Sequence, residues 1–413
     1  MQPSESELIY DWNSAAGEHH PARGRIDLND ETLRDGLQSP SVRTPAIAQK
    51  LEILHALAAI GIDSLNIGLP GAGPHVVADV TRLAQEIVDQ RLPIAANCAA
   101  RTLAADIRPI VEISQKTGLA IEVACFLGSS PIRQYTEGWE LTKLLELTRD
   151  AVGLATREGL PVMYVTEDTT RARPDDARAL YTAAVEAGAR RICIADTVGH
   201  ATPNGTRNVV CFLRQMVDEM QANVAVDWHG HNDRGLGLAN GIAAAEAGAD
   251  RIHGTILGIG ERVGNCSLDQ LLVNFELFGW SHWNLRPLAG LCELVSRATG
   301  VVIPESYPVF GKDAYRTQTG VHAAAILKAR AKGHDWLADR VYSGIPAAMV
   351  GRRQEVEIGP MSGQANVICW LQERGIESTP ELTQEIFQAA KRATATLDKE
   401  AILALCRRHG VAS

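Results

Sequence analysis

The stretch Pro45-Ala46-Ile47-Ala48-Gln49-Lys50-Leu51-Glu52-Ile53-Leu54-His55-Ala56-Leu57-Ala58-Ala59-Ile60-Gly61-Ile62-Asp63-Ser64-Leu65-Asn66-Ile67 decides the fold. Over 45–60, Ile47, Leu51, Leu54, Leu57 and Ala58 share one stripe while Gln49, Lys50, Glu52 and His55 fall elsewhere, the spacing of an amphipathic helix. Gly61 supplies a residue that can end that helix in the left-handed conformation, and Ser64 to Ile67 then reads as a short buried strand. The unit recurs without sequence identity. Further candidate strands are Ile26 to Asn29, Leu92 to Ala96, Leu119 to Cys125, Pro161 to Val165, Arg191 to Ala195, Asn223 to His229 and Arg251 to Ile256, and Gly118, Gly159, Gly188 and Gly248 precede strands as Gly61 does. Short strands alternating with helices on short links imply a parallel sheet. Eight such units before residue 285 fit a closed (βα)8 TIM barrel better than an open doubly wound sheet.

At 413 residues the chain exceeds what one small domain needs. Three regions are expected: an N-terminal arm over 1–24, a catalytic barrel over 25–285, and a mainly helical region over 286–413 in which Glu355 to Ile358 can form a strand. With 46% hydrophobic and 22% charged residues the chain is globular, and a net charge of −9 without a basic run argues against nucleic acid or an anionic membrane as partner. No apolar stretch approaches the roughly 18 residues of a membrane span, and the first residues lack the pattern of a secretory leader. The eight cysteines stand singly, with no C-x-x-C pair. A reduced, cytoplasmic protein is expected.

A barrel carries its chemistry at the C-terminal ends of its strands. There the seventh candidate strand ends in His229-Gly230-His231-Asn232-Asp233, and side chains two apart on an extended segment share a face, so both imidazoles can meet one cation. Taken alone, the pair also reads as two structural histidines. The first strand runs into Glu31-Thr32-Leu33-Arg34-Asp35-Gly36-Leu37-Gln38; closure of a barrel brings strands one, seven and eight side by side, so Asp35 can add a carboxylate oxygen, and Arg34 can donate to a developing oxyanion. The same residues also suit a surface pair at an Asp-Gly turn. After the eighth strand, Gly258, Gly260, Glu261, Arg262 and Gly264 form a loop over the site, either a close backbone approach to a ligand or a mobile cover, and Asn265 can add an amide oxygen. Two nitrogens, a carboxylate and an amide oxygen suit a divalent ion, Mg, Mn, Fe or Zn, with open positions for the two oxygens of a 2-oxo acid.

These stretches resemble the acyl-CoA-condensing enzymes that include the 2-isopropylmalate, homocitrate and citramalate synthases. The matching residues are Glu31 to Gly36, Arg101 with Asp106, Thr166-Glu167-Asp168, Ala195 to Gly199 with Thr202-Pro203, His229 to Asp233, and Gly258 to Asn265; further on, Gly320-Val321-His322, Val350-Gly351-Arg352 and Ser362-Gly363 continue the likeness. The resemblance implies a divalent metal on Asp35, His229, His231 and Asn265, with Arg34 holding the keto oxygen of the 2-oxo acid and Thr197 its carboxylate. It places Gln38, Asn66 and Arg101 around the substrate. His322, Glu167 and Tyr342 handle protons as acetyl-CoA becomes an enolate, in a homodimer in which His322 reaches the partner's barrel. By type alone His322 also reads as a structural histidine, and Glu167 as part of a helix cap.

Three departures bear on substrate. Leu37 stands where the synthases commonly have Glu, so that Asp35-Gly36-Leu37-Gln38 resembles a 3-hydroxyacyl-CoA lyase, whereas the Gly258 to Asn265 loop resembles the synthases. Asn66 replaces a usual Glu, and Thr317 a second His before Gly320-Val321-His322. Asn66, Gly68, Ala96 and Ala99 are small or neutral, so a pocket for a bulky or aromatic 2-oxo acid is expected. Carbon–carbon cleavage, and a non-catalytic metabolite-binding barrel, are the alternatives. No leucine-binding regulatory domain is expected after the helical region.

Overall fold

The computed structural model describes residues 3–13 and 20–411. Among them the chain divides into two compact units, Asn13–Val302 and a second that joins the segment through Trp12 to Ile303 and onward. In the first unit eight strands close a parallel barrel in sequence order: β1 (Asp27–Asp30), β2 (Ser64–Asn66), β3 (Ala95–Arg101), β4 (Ile121–Gly128), β5 (Val162–Glu167), β6 (Arg191–Asp196), β7 (Ala225–Gly230) and β8 (Arg251–Gly254). Closure pairs Asn29 with His253 and Asp30 with Gly254. Helices lie between successive strands, which is a TIM barrel.

The helix Ile47–Ile60 shows how a unit is made. Ile53, Leu54, Leu57 and Ile60 are buried, and Gly61 ends the helix at φ 91° with its N–H on Leu57 O. Gly118, Gly159, Gly188 and Gly248 also adopt positive φ at the ends of helices. The buried face differs from the expected stripe. Lys50 lies on it, its ammonium 2.7 Å from Asp79, so an ion pair brings a polar position inward while Ile47 and Leu51 stay half-buried.

Strand β3 also differs, starting at Ala95 where 92–96 was expected. Arg91 at φ 51° makes a turn of the preceding residues, and the strand is built from Ala-Ala-Asn-Cys-Ala-Ala, small residues without β-branched members, which a barrel buried on both faces accepts. Residues 286–302, expected with the C-terminal region, pack with the barrel: Leu288, Leu291, Cys292 and Val295 of the helix Leu288–Thr299 are buried in the first unit. Of the expected arm, 1–2 and 14–19 lie outside the described residues; Glu5–Leu8 is a short helix, and Ala22 N–H bonds Ala245 O.

The second unit is mainly helical, with Val367, Trp370, Leu371, Leu382, Ile386 and Ile402 in its core. The expected strand is β10 (Glu355–Val356), paired in parallel with β9 (Arg316–Thr317). Gly320 and Gly363 touch so closely that a Cβ on Gly320 would meet Gly363 N at 2.8 Å, which joins two of the stretches singled out in the sequence. All eight cysteines are free, and Cys211 is the exposed one. No helix among the described residues is long and apolar enough to cross a membrane.

Candidate active site

At the C-terminal ends of the strands, β1 and β7 bring three buried side chains to one point, and the loop after β8 adds Asn265. His229 and His231, two apart on and just after β7, face each other with Nε2 atoms 3.4 Å apart. Asp35 Oδ2 lies 3.5 Å from His229 Nε2 and 3.6 Å from His231 Nε2. Burial would push the Asp35 carboxyl up, but Arg34 (Nη1 to Oδ2, 3.2 Å) and the two imidazoles hold it well below the usual range, so it is ionised. Burial lowers His229 and keeps its ring neutral, the form that binds metal. Asn265 donates from Nδ2 to Asp35 Oδ1 at 2.9 Å and to Ile259 O at 3.1 Å.

This donor set fits a divalent cation. The ligand atoms of Asp35, His229 and His231 lie within 4.8 Å of one another, and Asn265 Oδ1, buried beside them, has no protein partner among the described residues. Imidazole nitrogen, carboxylate and amide oxygen together suit Mg, Mn, Fe or Zn. Two other groups have metal-like spacing. In one, Glu31, His229 and His253, the Glu31 and His253 donors are already engaged with Arg34 and Asp227; in the other, Asp27, Asp63 and His282, Arg25 sits among the donors.

The loop after β8 is tied down. Arg262 bonds Asp233 at 2.8 and 3.0 Å and Thr197 O at 2.6 Å, and Asn232 N–H bonds Gly264 O. Gly260 has φ 149°, and a Cβ there would fall 2.1 Å from Asn265 Nδ2, so the close approach needs glycine. The loop thereby frames a cavity of about 280 Å³ lined by Arg34, Asp35, Gln38, Asn66, Glu167, Thr197, His229, His231 and Glu261. Glu31 and His253 line it as well, and the rest of its wall is apolar: Leu69, Ala99, Ala124, Phe126, Met163, Val165 and Ala195, with Cys193.

Most of the residues singled out in the barrel sequence therefore converge. Glu167, at the end of β5, stands 3.9 Å from Arg133, and burial raises its pKa. Thr197 Oγ1 accepts from Asp168 N–H at 2.9 Å. Arg101 does not line the cavity; as the last residue of β3 it turns onto Asp106, with bonds of 2.7 and 2.9 Å. Of the four small residues expected around the pocket, Asn66 and Ala99 line it. Ala96 lies on the opposite face of β3, since alternation separates it from Ala99, and Gly68 packs under the next helix, where a Cβ would meet Val80 at 2.7 Å. His322 and Tyr342 belong to the second unit, stacked with centroids 3.8 Å apart; His322 Nδ1 is 3.4 Å from Thr317 Oγ1.

Two residues of the site were given no role from the sequence, although Glu31 opens the stretch that ends in Arg34-Asp35-Gly36. Glu31 accepts from Arg34 Nε at 2.8 Å and Nη2 at 2.5 Å. Despite burial, Arg34 and His253 hold its pKa at about 2. His253 lies between Glu31 and Asp227; burial would lower its pKa, but the two carboxylates raise it. The signals were Glu31, three residues before Arg34 in a quoted stretch, and His253 within a strand that ends beside the glycine loop.

A closed parallel barrel with a two-histidine, one-carboxylate cluster at its strand ends defines a TIM-barrel enzyme with a site for a divalent metal. The chain belongs to the HMGL-like family, whose match spans residues 25–295. It is 32% identical to a homocitrate synthase from Methanopyrus kandleri over 89% of this chain and 87% of that one. It is 30% identical to a 2-isopropylmalate synthase from Pyrococcus abyssi over 89% and 74%. The fold is shared with a hydroxymethylglutaryl-CoA lyase from Pseudomonas aeruginosa (TM-score 0.57, 18% identity, 68% of this chain and 93% of that one). The chain is an enzyme of the acyl-transferring, condensing synthase type.

Proposed function

We propose that the protein condenses acetyl-CoA with a 2-oxo acid carrying a bulky or aromatic side chain. A carbon–carbon bond forms between the acetyl methyl carbon and the oxo carbon, the oxo oxygen ends as a hydroxyl, and water then cleaves the thioester. The products are a 2-substituted malate-type acid and CoA. One observation carries the reading: Asp35, His229 and His231 converge beside Arg34 in one cavity, with Asn265 bonded to Asp35.

Asp35, His229, His231 and Asn265 would hold the divalent metal, which when bound supplies Lewis acidity toward the two oxygens of a 2-oxo acid. Arg34 donates to the oxo oxygen as negative charge grows there, with one edge of its guanidinium anchored on Glu31. Thr197 and Gln38 bind the substrate carboxylate at the rim. Glu167, whose pKa burial raises, is suited to moving a proton at the acetyl methyl group, with His322 and Tyr342 contributed by the partner in a homodimer. The apolar wall of Leu69, Ala99, Ala124, Phe126 and Val165 offers no cation for a second carboxylate, which favours an apolar side chain over 2-oxoglutarate.

The test is release of free CoA from acetyl-CoA with pyruvate, 2-oxoisovalerate, 4-methyl-2-oxovalerate, phenylpyruvate and 2-oxoglutarate, each with and without chelator. The expected result is release that depends on an apolar 2-oxo acid and vanishes with chelator. Highest kcat/KM for 2-oxoglutarate would refute the substrate class. Silence across the panel, with acetyl-CoA formed from a 3-hydroxyacyl-CoA instead, would replace condensation by cleavage.

A further inference from the structure

Beneath the proposed metal ligands the barrel interior carries charged side chains that this chemistry does not touch. Asp227, two residues before His229 on β7, is fully buried and accepts from Arg191 Nη1 at 2.6 Å and Arg251 Nε at 2.7 Å. Arg251 continues to Glu122 Oε2 at 2.7 Å and Ser64 Oγ at 3.1 Å. This lower group is braced from β2, β4, β6, β7 and β8 at once. On the cavity side stands a smaller group. Glu31 clamps Nε and Nη2 of Arg34 and takes a bond from Asn29 Nδ2 at 2.8 Å, which leaves Arg34 Nη1, 3.2 Å from Asp35 Oδ2, as the corner Glu31 does not hold.

His253 of β8, 2% exposed, joins the two groups. Its Nε2 lies 2.9 Å from Asp227 Oδ2 and its Nδ1 3.3 Å from Glu31 Oε1. A ring with a carboxylate at each nitrogen cannot turn without losing both contacts. The ring also packs edge-on against His229, with centroids 5.8 Å apart. Glu31 is a flexible side chain, and without His253 its carboxylate keeps Arg34 and Asn29 but reaches the lower group only indirectly, through Asn29 Oδ1, which accepts from Ser64 Oγ at 2.7 Å.

We propose that His253 is a positioning residue for Arg34: by tying Glu31 to Asp227 it fixes the carboxylate that orients the guanidinium and aims Nη1 at the reacting oxygen. The proposal rests on the reading of Arg34 given above. Misplacing a catalytic group by about 1 Å costs up to about 100-fold in rate. A merely structural His253 would instead lower stability without changing what Arg34 contributes.

The test is a double-mutant cycle on the metal-loaded enzyme with His253→Asn, Arg34→Lys and the pair, together with calorimetric Mn²⁺ titration and a crystal structure of His253→Asn. The expected result is kcat down about 10- to 100-fold in His253→Asn, with KM for acetyl-CoA and Mn²⁺ affinity within about threefold of wild type. In the Arg34→Lys background the same change costs less than about threefold, because its target is already lost. The crystal structure is expected to show the Arg34 fork turned from its place beside Asp35, a readout that holds whatever reaction the site performs. An unmoved Arg34, or a loss that multiplies with Arg34→Lys, overturns the proposal. Should His253→Asn fail to fold, His253→Gln, which leaves the Glu31–Arg34 clamp intact but cannot span both carboxylates as the ring does, carries the cycle and the structure. No condensation by the wild type would overturn the proposed function, and the position of Arg34 would still decide the inference.

Discussion

His231 lends itself to a direct test of the metal cluster. His231→Ala removes one imidazole that faces Asp35, so Mn²⁺ binding should weaken by at least about 10- to 100-fold in calorimetry and turnover should fall with it, while the thermal midpoint stays near wild type. Unchanged binding would remove His231 from the ligand set. Arg34→Lys keeps the charge but cannot keep two nitrogens on Glu31; kcat should fall about 100-fold or more with KM for acetyl-CoA little changed. Asp30 predicts a pH effect. Burial raises its pKa to about 7, against Thr32 bonds that lower it. A carboxyl whose folded pKa is raised favours the fold while protonated, so its contribution is greatest below about pH 4 and is lost as pH rises through 7. The difference in urea midpoint between wild type and Asp30→Asn, measured from pH 5 to 8, should shift toward the variant as pH rises; a flat difference would refute the assignment. The cluster was legible because its spacing is local: two histidines on one strand face, and an aspartate just past a strand end. The pairing of Glu31 with His253 was not, because it exists only once closure sets β1 against β8.

At the scale of elements, the glycine loop after β8 makes the sharpest statement. Gly260→Ala would place a methyl group on Asn265 Nδ2 in a backbone conformation side chains avoid, so the loop must move and carry Asn265 with it. Activity should drop at least about tenfold with a smaller change in thermal midpoint, since the strain is local to the mouth; equal activity would mean that the loop does not set Asn265. The helix–glycine–strand unit was readable because five helices are followed by a positive-φ glycine (Gly61, Gly118, Gly159, Gly188 and Gly248) ahead of a short buried strand, whereas Arg91 and Gln221 make the same turn without one. The start of β3 was not. Its Ala, Asn and Cys residues carry little strand preference of their own, and what makes them a strand is the neighbouring pair β2 and β4. The stripe on Ile47–Ile60 misled for a related reason, because the Asp79 partner that draws Lys50 inward comes from the next helix.

For the whole molecule, the proposed homodimer has a test that needs no structure of the dimer. If His322 serves the partner's barrel, His322→Ala and His231→Ala chains are each inactive alone, yet subunit exchange between them should restore roughly a quarter of wild-type sites, since half the dimers are mixed and each mixed dimer has one intact site. No recovery on mixing, with exchange verified by mass, would place His322 in its own chain's chemistry or outside it. The extent of the barrel unit shows the limit of reading boundaries from rhythm: residues 286–302 lose the strand–helix alternation, yet Leu288, Leu291 and Val295 still bury against the barrel. The cysteines have a practical consequence. Burial pushes up the thiols of Cys98, Cys125, Cys193, Cys266 and Cys292, and Cys369 and Cys406 are buried as well, so in the native enzyme a disulfide dye should find Cys211 and little else. A colorimetric trace of CoA release would then start from a fixed offset of about one equivalent per chain, which Cys211→Ser would erase, and any later climb in that offset would report the protein coming apart.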